Sequence, residues 1–305
     1  MPTFSSLGEA DMQAGRLFNG IESLDHPVIA ARDLDVARVT YERLGFTVPP
    51  RGSHVEWGTG NLCIMFPDDY IEIRGIVDAS RFTMNLGQHL DRFGEGLMGV
   101  AFRSDDIRAS YEAMTTHGLR VSEPRRLTRN FEHPEGWTKP SFRLCVPESE
   151  DIEGLMHVVV LQHLTPELIR RPEFLVHANG CKGVNDISGV IYDAEQAASK
   201  LSHLLGAEAV HLSADGVRLE LPTGQRINLL FVHAYRAKFG DISKLQKSKT
   251  SCLGAMTLRV ESTARVQEIL TGNGLTFDIM ENGGIRIGPE SACGVILDFT
   301  EDPPG

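Results

Sequence analysis

Residues 21–48 read IESLDHPVIAARDLDVARVTYERLGFTV, and residues 61–76 read NLCIMFPDDYIEIRGI. Ile21 to Ala31 alternates as a strand does, which places Leu24, His26, Val28 and Ala30 on one face. Asp33 suits an N-cap, because its carboxylate can accept from backbone N–H groups of a first helical turn. Ala37, Tyr41 and Leu44 then recur at helical spacing, and Gly45 stands where a left-handed C-cap is expected. Phe46–Val48, Asn61–Phe66 and Tyr70–Ile76 read as three more strands, separated by Pro-Pro-Arg-Gly and Pro-Asp-Asp turns. The order is strand, helix, strand, strand, strand, with a histidine on the first strand and a glutamate on the last.

Composition bounds what surrounds this unit. The 305 residues allow about two domains, each with its own core. A net charge of -11 repels polyphosphate and anionic lipid, which disfavours nucleic acid and membrane surfaces as partners. No apolar run reaches the ~20 residues of a membrane helix, and the first residues lack the basic-then-apolar order of a signal peptide. Cys63, Cys145, Cys181, Cys252 and Cys293 are odd in number and widely spaced, the pattern of reduced thiols in a cytoplasmic protein.

The opening unit recurs at intervals of roughly 70 to 90 residues. A second copy takes strand Leu97–Arg103, cap Asp105-Asp106, helix Ile107–Thr116, Gly118, and strands at Leu119–Val121, Ser141–Val146 and Leu155–Gln162. A third has strand Ile187–Tyr192, cap Asp193, helix Ala194–Leu205 and Gly206, with strands near Ala209–His211, Val217–Leu221 and Arg226–Val232. The fourth has strand Ala255–Val260, helix Thr263–Leu270, Gly274, and strands Thr276–Met280, Gly284–Ile287 and Gly294–Phe299. A single unit leaves the inner face of a small curved sheet uncovered, so units must pair. The expected class is α+β: four βαβββ modules paired into two cupped-sheet domains. Residues 1–20 form a packing arm, 21–164 a first domain, 165–182 a linker and 183–305 a second domain. The long segment Glu123–Pro140 is expected as a hairpin or lid over the first domain.

Several strings resemble the vicinal oxygen chelate superfamily, specifically its glyoxalase-like branch. They are Asp25-His26-Pro27-Val28, Asp33-Leu34 with Ala37, Leu44-Gly45-Phe46, Arg51-Gly52-x-His54, Trp57-Gly58-Thr59-x-Asn61 and Tyr70-Ile71-Glu72-Ile73. Gln162-His163-x-Thr165-Pro166-Glu167-Leu168 and His177-Ala178-Asn179-Gly180 are similar too, so the likeness covers roughly residues 21–180. Beyond that, only the order of elements supports it. The resemblance implies paired modules cupped around a divalent metal, in lyases, isomerases, extradiol-type dioxygenases or thiol transferases. It also implies ligands on the first and fourth strands of each module, which are His26 and Glu72 in the first. In the second module the first position is Gly99, which cannot ligate, and the other falls near His163 or, as second choice, His157.

Two histidines and one carboxylate would leave positions open on Fe, Mn, Zn or Ni, so that the ion could polarise two adjacent substrate oxygens or hold dioxygen beside them. The expected ligands are therefore His26, Glu72 and His163. Glu72 and His54 are the catalytic candidates, and Arg74, Trp57 and Asn61 the substrate-binding ones. Each has a plainer reading. His26 as a satisfied half-buried histidine, Glu72 in an ion pair with Arg74, His54 hydrogen-bonding a turn and Trp57 as packing all remain open. Arg74, Arg103 and Arg143 could each meet an anionic substrate group. No Ser-His-Asp order, phosphate loop, dinucleotide turn or Cys-x-x-Cys pair is present. In the C-terminal pair, Asp186, Gly254 and Asp298 stand at the corresponding positions, which suits a structural partner domain. Two functions follow: a metal-dependent small-molecule enzyme acting on vicinal oxygens, or a non-catalytic protein that sequesters a small molecule. Four modules in one chain allow a monomer as well as a homodimer.

Overall fold

The computed structural model describes residues 19–133, 136–240 and 250–301. Most of the expected N-terminal arm lies outside the described residues. The first module comprises β1 (Ile21–Ala30), α1 (Leu34–Arg43), β2 (Gly52–His54), β3 (Thr59–Met65) and β4 (Tyr70–Ile76). After α2 (Leu86–Phe93), the second follows as β5 (Gly96–Ser104), α3 (Ile107–Thr116), β6 (Arg125–His133), β7 (Gly136–Thr138), β8 (Ser141–Cys145) and β9 (Val158–His163). These strands form one sheet in the order β2-β3-β4-β1-β5-β9-β8-β6-β7. Because β2 also pairs with β6, the sheet curls nearly shut into a cup.

The C-terminal half repeats the plan with β10 (Cys181–Ile191), α4 (Ala194–Leu205), β11 (Val210–Ser213), β12 (Gly216–Glu220), β13 (Arg226–Phe231), α5 (Val232–Phe239), β14 (Cys252–Val260), α6 (Thr263–Gly272), β15 (Asp278–Ile279), β16 (Ile285–Ile287) and β17 (Ile296–Glu301). Its order is β11-β12-β13-β10-β14-β17-β16-β15, and among the described residues no strand pairs its two ends. In both sheets the first strands of paired modules run antiparallel at the centre, β1 on β5 and β10 on β14. Each also lies parallel to the last strand of its own module. The expected α+β class of paired, cupped βαβββ modules is what the chain adopts.

Local chemistry explains the helices. The Asp33 carboxylate accepts from the backbone of Asp35 and Val36, and Leu34, Ala37 and Tyr41 form the buried face of α1. Gly45 ends it at φ +88°, and a Cβ there would lie 3.0 Å from Asn179 Cβ, so this turn requires glycine twice over. The expected strand at Phe46–Val48 does not form, and the strand begins later, at Gly52. The residues after it, Pro49 and Pro50, have no N–H to offer a ladder, and the Arg38 side chain supplies donors to the Val48 and Pro49 carbonyls. Leu119–Val121 likewise contributes only an isolated bridge, from Val121 to Pro147. The Glu123–Pro140 segment takes the strand's place as the β6–β7 hairpin. Helices α2 and α5 lie where the sequence reading assigned no helix.

The two sheets and helices α1, α3, α4 and α6 share a single apolar core. Leu24, Tyr41, Ile64, Phe66, Ile187, Leu201, Leu258 and Phe299 are all fully buried or nearly so within it, each worth roughly 1.5–3 kcal/mol against exposure. The halves are also tied by polar contacts, since Asp69 accepts from Val184 N, and Gln225 Oε1 accepts from Leu24 N. No helix among the described residues is long and apolar enough to cross a membrane.

Gly99 sits where β5 presses on the turn before β9: a Cβ there would lie 2.2 Å from the His157 carbonyl oxygen. Gly99→Ala is therefore expected to cost about 1–3 kcal/mol of overpacking, read from denaturant midpoints; an unchanged midpoint would contradict the close approach.

Candidate functional site

A β-bulge starts the site. The register of β1 on β5 slips between Leu24 and His26, making Asp25 an extra residue. The slip breaks the expected alternation: Leu24 turns into the shared core, whereas His26 faces the cup. The register on β4 then matters, because Val28 lies opposite Glu72 in the parallel ladder. His26 and Glu72 meet, with His26 Nε2 3.1 Å from Glu72 Oε2.

Glu72 is completely satisfied by its neighbours. Oε1 accepts from Asn61 Nδ2 at 3.0 Å and Arg74 Nε at 3.1 Å, and Oε2 accepts from Arg74 Nη2 at 3.0 Å beside the His26 contact. A carboxylate has about four acceptor sites, and all are engaged. Arg74 and Asn61, expected to bind substrate, therefore hold Glu72. His26 Nδ1 lies 2.7 Å from Asp25 Oδ1, and the Tyr70 ring stacks on the imidazole at 4.2 Å. His163 Nε2 turns to Asp25, 2.9 Å from Oδ2, and Arg103 donates to the same oxygen at 3.1 Å.

Burial sets the electrostatics. It works against the His26 imidazolium, but hydrogen bonds and attraction from Asp25 and Glu72 outweigh it and raise the pKa above 6.5. Burial likewise pushes Asp25 and Glu72 upward, yet their cationic neighbours hold both well below the carboxylate range. His54 differs: burial with little compensation lowers it to about 4. Its neutral ring meets Thr59 Oγ1 at 2.8 Å and leans on Trp57, 5.1 Å between centroids.

The cavity above this cluster is apolar for much of its wall, with Trp57, Phe142, Leu144, Val159, Leu161 and Met84 around it. About 40 Å³ is free inside, space for about three waters. His54, Asn61, Tyr70, Arg74, Arg129 and His163 also line it. His157 does not. It faces a separate depression beside His89 and Met156, and its Nε2 is buried with no partner. Arg143 is exposed on β8, and Arg103 is held by Asp25.

The expected metal set can be tested against these donors. His26 and Glu72 converge, and the Asp25 bond on Nδ1 is how a ligating imidazole is commonly oriented. His163, however, is engaged with Asp25, and no three His, Cys, Asp or Glu side chains among the described residues are grouped to hold an ion. Binding one through Glu72 would break the Arg74 fork beside a second buried guanidinium. As folded, the donors do not fit a divalent cation.

In the second cup, Asp186 occupies the register position of His26, and Asp298 stands on the last strand of the fourth module, opposite Thr257. Each is forked by an arginine: Arg226 on Asp186 at 2.7 and 3.2 Å, and Arg286 on Asp298 at 2.7 Å for both bonds. Sequence reasoning gave no role to Asp25, Tyr70 or Arg129. Asp25 carried a signal, since an acid next to the candidate ligand is a natural orienting group; Arg129 carried none beyond its place in a basic segment.

Two histidines of one cavity should titrate on opposite sides of 6.5. His26 adds stability in full below about 6.5 and loses it as pH rises through its raised value. His54 opposes folding as pH falls from about 6.5 toward 4. Histidine-labelled NMR, assigned with His26→Gln and His54→Gln, should find His26 titrating above 6.5 and His54 neutral down to about 4. Equal values near 6.5 would contradict the burial and pairing described.

No curated protein matches the sequence. Among solved structures, a hypothetical protein from Staphylococcus aureus superposes with TM-score 0.65 at 13% identity, over 92% of this chain and 99% of that one. A mutant of 4-hydroxymandelate synthase from Streptomyces coelicolor gives 0.58 at 9% identity, over 93% and 94%. A xylose isomerase-like TIM barrel/4-hydroxyphenylpyruvate dioxygenase fusion protein gives 0.53 at 12% identity, over 93% of this chain and 49% of that one. At such identities the likeness is one of fold. In sequence, the glyoxalase-like domain family matches residues 24–205, more than half of the chain, from β1 through α4. This chain belongs to the glyoxalase-like domain family.

Proposed function

We propose that the N-terminal cup binds a small organic molecule without a resident metal, the sequestering member of the two functions expected from the sequence. The observation that carries this reading is the saturated Glu72. Its acceptor sites are used by Arg74, Asn61 and His26, so the glutamate serves to hold cations in place under an apolar cavity. Taking one partner from such a buried pair costs about 3–5 kcal/mol, an expense an incoming metal would meet before gaining any ligand bond. An apolar wall with a few convergent polar groups is the usual form of a small-molecule site.

The second reading, a divalent-metal enzyme acting on vicinal oxygens as a lyase, isomerase or dioxygenase, is favoured by one observation. His26 Nε2 and Glu72 Oε2 point at each other while Asp25 fixes the far side of the ring. It needs Glu72 to leave Arg74, and His163 to leave Asp25.

Elemental analysis separates the two. After anaerobic incubation with Fe(II), Mn(II), Ni(II) and Zn(II) in turn, and dialysis, the full chain is expected to retain less than about a tenth of an equivalent. Near-stoichiometric metal that falls at least tenfold in affinity in Glu72→Gln would install the metalloenzyme instead.

A further inference from the structure

Arg129 is a charge in the cup that has no ion-pair partner among the described residues. Its residue is only 4% exposed, and it lines the cavity from β6, in register with His54. The side chain's hydrogen bond is from Nη1 to Cys63 Sγ at 2.9 Å, and a thiol is a weak acceptor. Burial raises that thiol to about 11, so it is no thiolate counterion. Among the described residues no carboxylate lies within ion-pairing distance of Arg129. The acids nearby are already committed: Glu72 to Arg74, and Asp25 to His26, His163 and Arg103.

Burial works against the Arg129 cation, and Glu72 favours it only through space, with no carboxylate hydrogen-bonded to the guanidinium among the described residues. The fork geometry of guanidinium matches a carboxylate. Around it stand Phe131, with the Arg129 guanidinium carbon 5.8 Å from its ring centroid, and the apolar cavity wall. The free space is small.

We propose that Arg129 is the anchor for the anionic group of the ligand, and that the ligand is a short monocarboxylate with an apolar body. This rests on the reading of the cup as a small-molecule pocket. The carboxylate pairs with Arg129, and the body lies against Phe142, Leu144, Val159 and Leu161. His54, beside Arg129 on the neighbouring strand, and Trp57 complete the wall, His54 as a neutral ring that adds no second charge.

The test uses the full chain with acetate, propionate, isobutyrate and benzoate, and with isobutyramide and benzamide as neutral twins of the same shape. Calorimetry and thermal melting of wild type, Arg129→Met and Arg129→Lys give the readout. At least one acid should bind wild type and raise its Tm by several degrees, and its amide should bind at least tenfold more weakly. Arg129→Met should lose tenfold or more for the acid, with Arg129→Lys intermediate. Ligand-free Arg129→Met should melt at or above the wild-type temperature, because an unmatched buried charge is gone; this outcome is independent of the ligand. A melting point far below wild type, equal binding of acid and amide, or unchanged affinity in Arg129→Met would each overturn the proposal. Equal binding that vanishes in the cavity-filling variant Val159→Trp would leave the pocket reading standing while this inference fails. Binding of neither acids nor amides would end both.

Discussion

The geometry of the first cup depends on one carboxylate. Glu72 sits on the last strand of its module, 3% exposed, and four hydrogen-bond contacts from Arg74, Asn61 and His26 converge on it. In a low-dielectric interior such a set is held together strongly and is costly to open. Through His26 the constraint passes to Asp25, and through Asp25 to His163 and Arg103, so side chains from β1, β3, β4, β5 and β9 are locked into one network. The cavity's polar floor is a consequence of that network.

The backbone makes the network possible. The bulge between Leu24 and His26 turns two successive residues, Asp25 and His26, into partners on one polar cluster, where strict alternation would separate them. The C-terminal half repeats the slip at Val184 and Asp186, and there Asn185 donates to Asp186. The two cups nonetheless diverge. In the first, β2 reaches across to β6 and closes the sheet, which buries Arg129 and Glu72. Among the described residues no strand does this in the second, and its acid–arginine pairs face an open depression. Closure, more than the ligand-position residues, separates the cup that can desolvate a guest from the one that cannot.

Much of the architecture was legible because it rests on local signals. Asp33, Asp106, Asp193 and Ser262 cap helices through their own side chains, and Gly45, Gly118, Gly206 and Gly274 adopt the left-handed or extended-positive backbone expected after them. A strand failed where tertiary contacts decided, at Phe46–Val48, where an arginine side chain replaced a ladder; at Glu123–Pro140 the expected hairpin forms, and what the sequence did not show is that its first strand shuts the cup. Among site residues, His26 and Glu72 were readable because type and strand position coincide. Their partners were not: whether Arg74 points at a substrate or at a residue two positions away depends on side-chain reach, and the commitment of His163 to Asp25 depends on a bulge. Arg129 is significant only because no acid pairs with it among the described residues, the nearby ones being committed to other partners, and that is a property of the folded neighbourhood.

The account turns on whether Glu72 is held by nitrogen donors or is available to an ion. A high-resolution crystal structure of the full chain after a manganese soak, with the anomalous signal recorded, addresses this most directly. The account predicts Arg74 Nε and Nη2 at about 3.0 Å from Glu72, with no anomalous peak in the cup. Arg74 swung away, with a peak about 2.0–2.2 Å from both His26 Nε2 and a Glu72 oxygen, would contradict it.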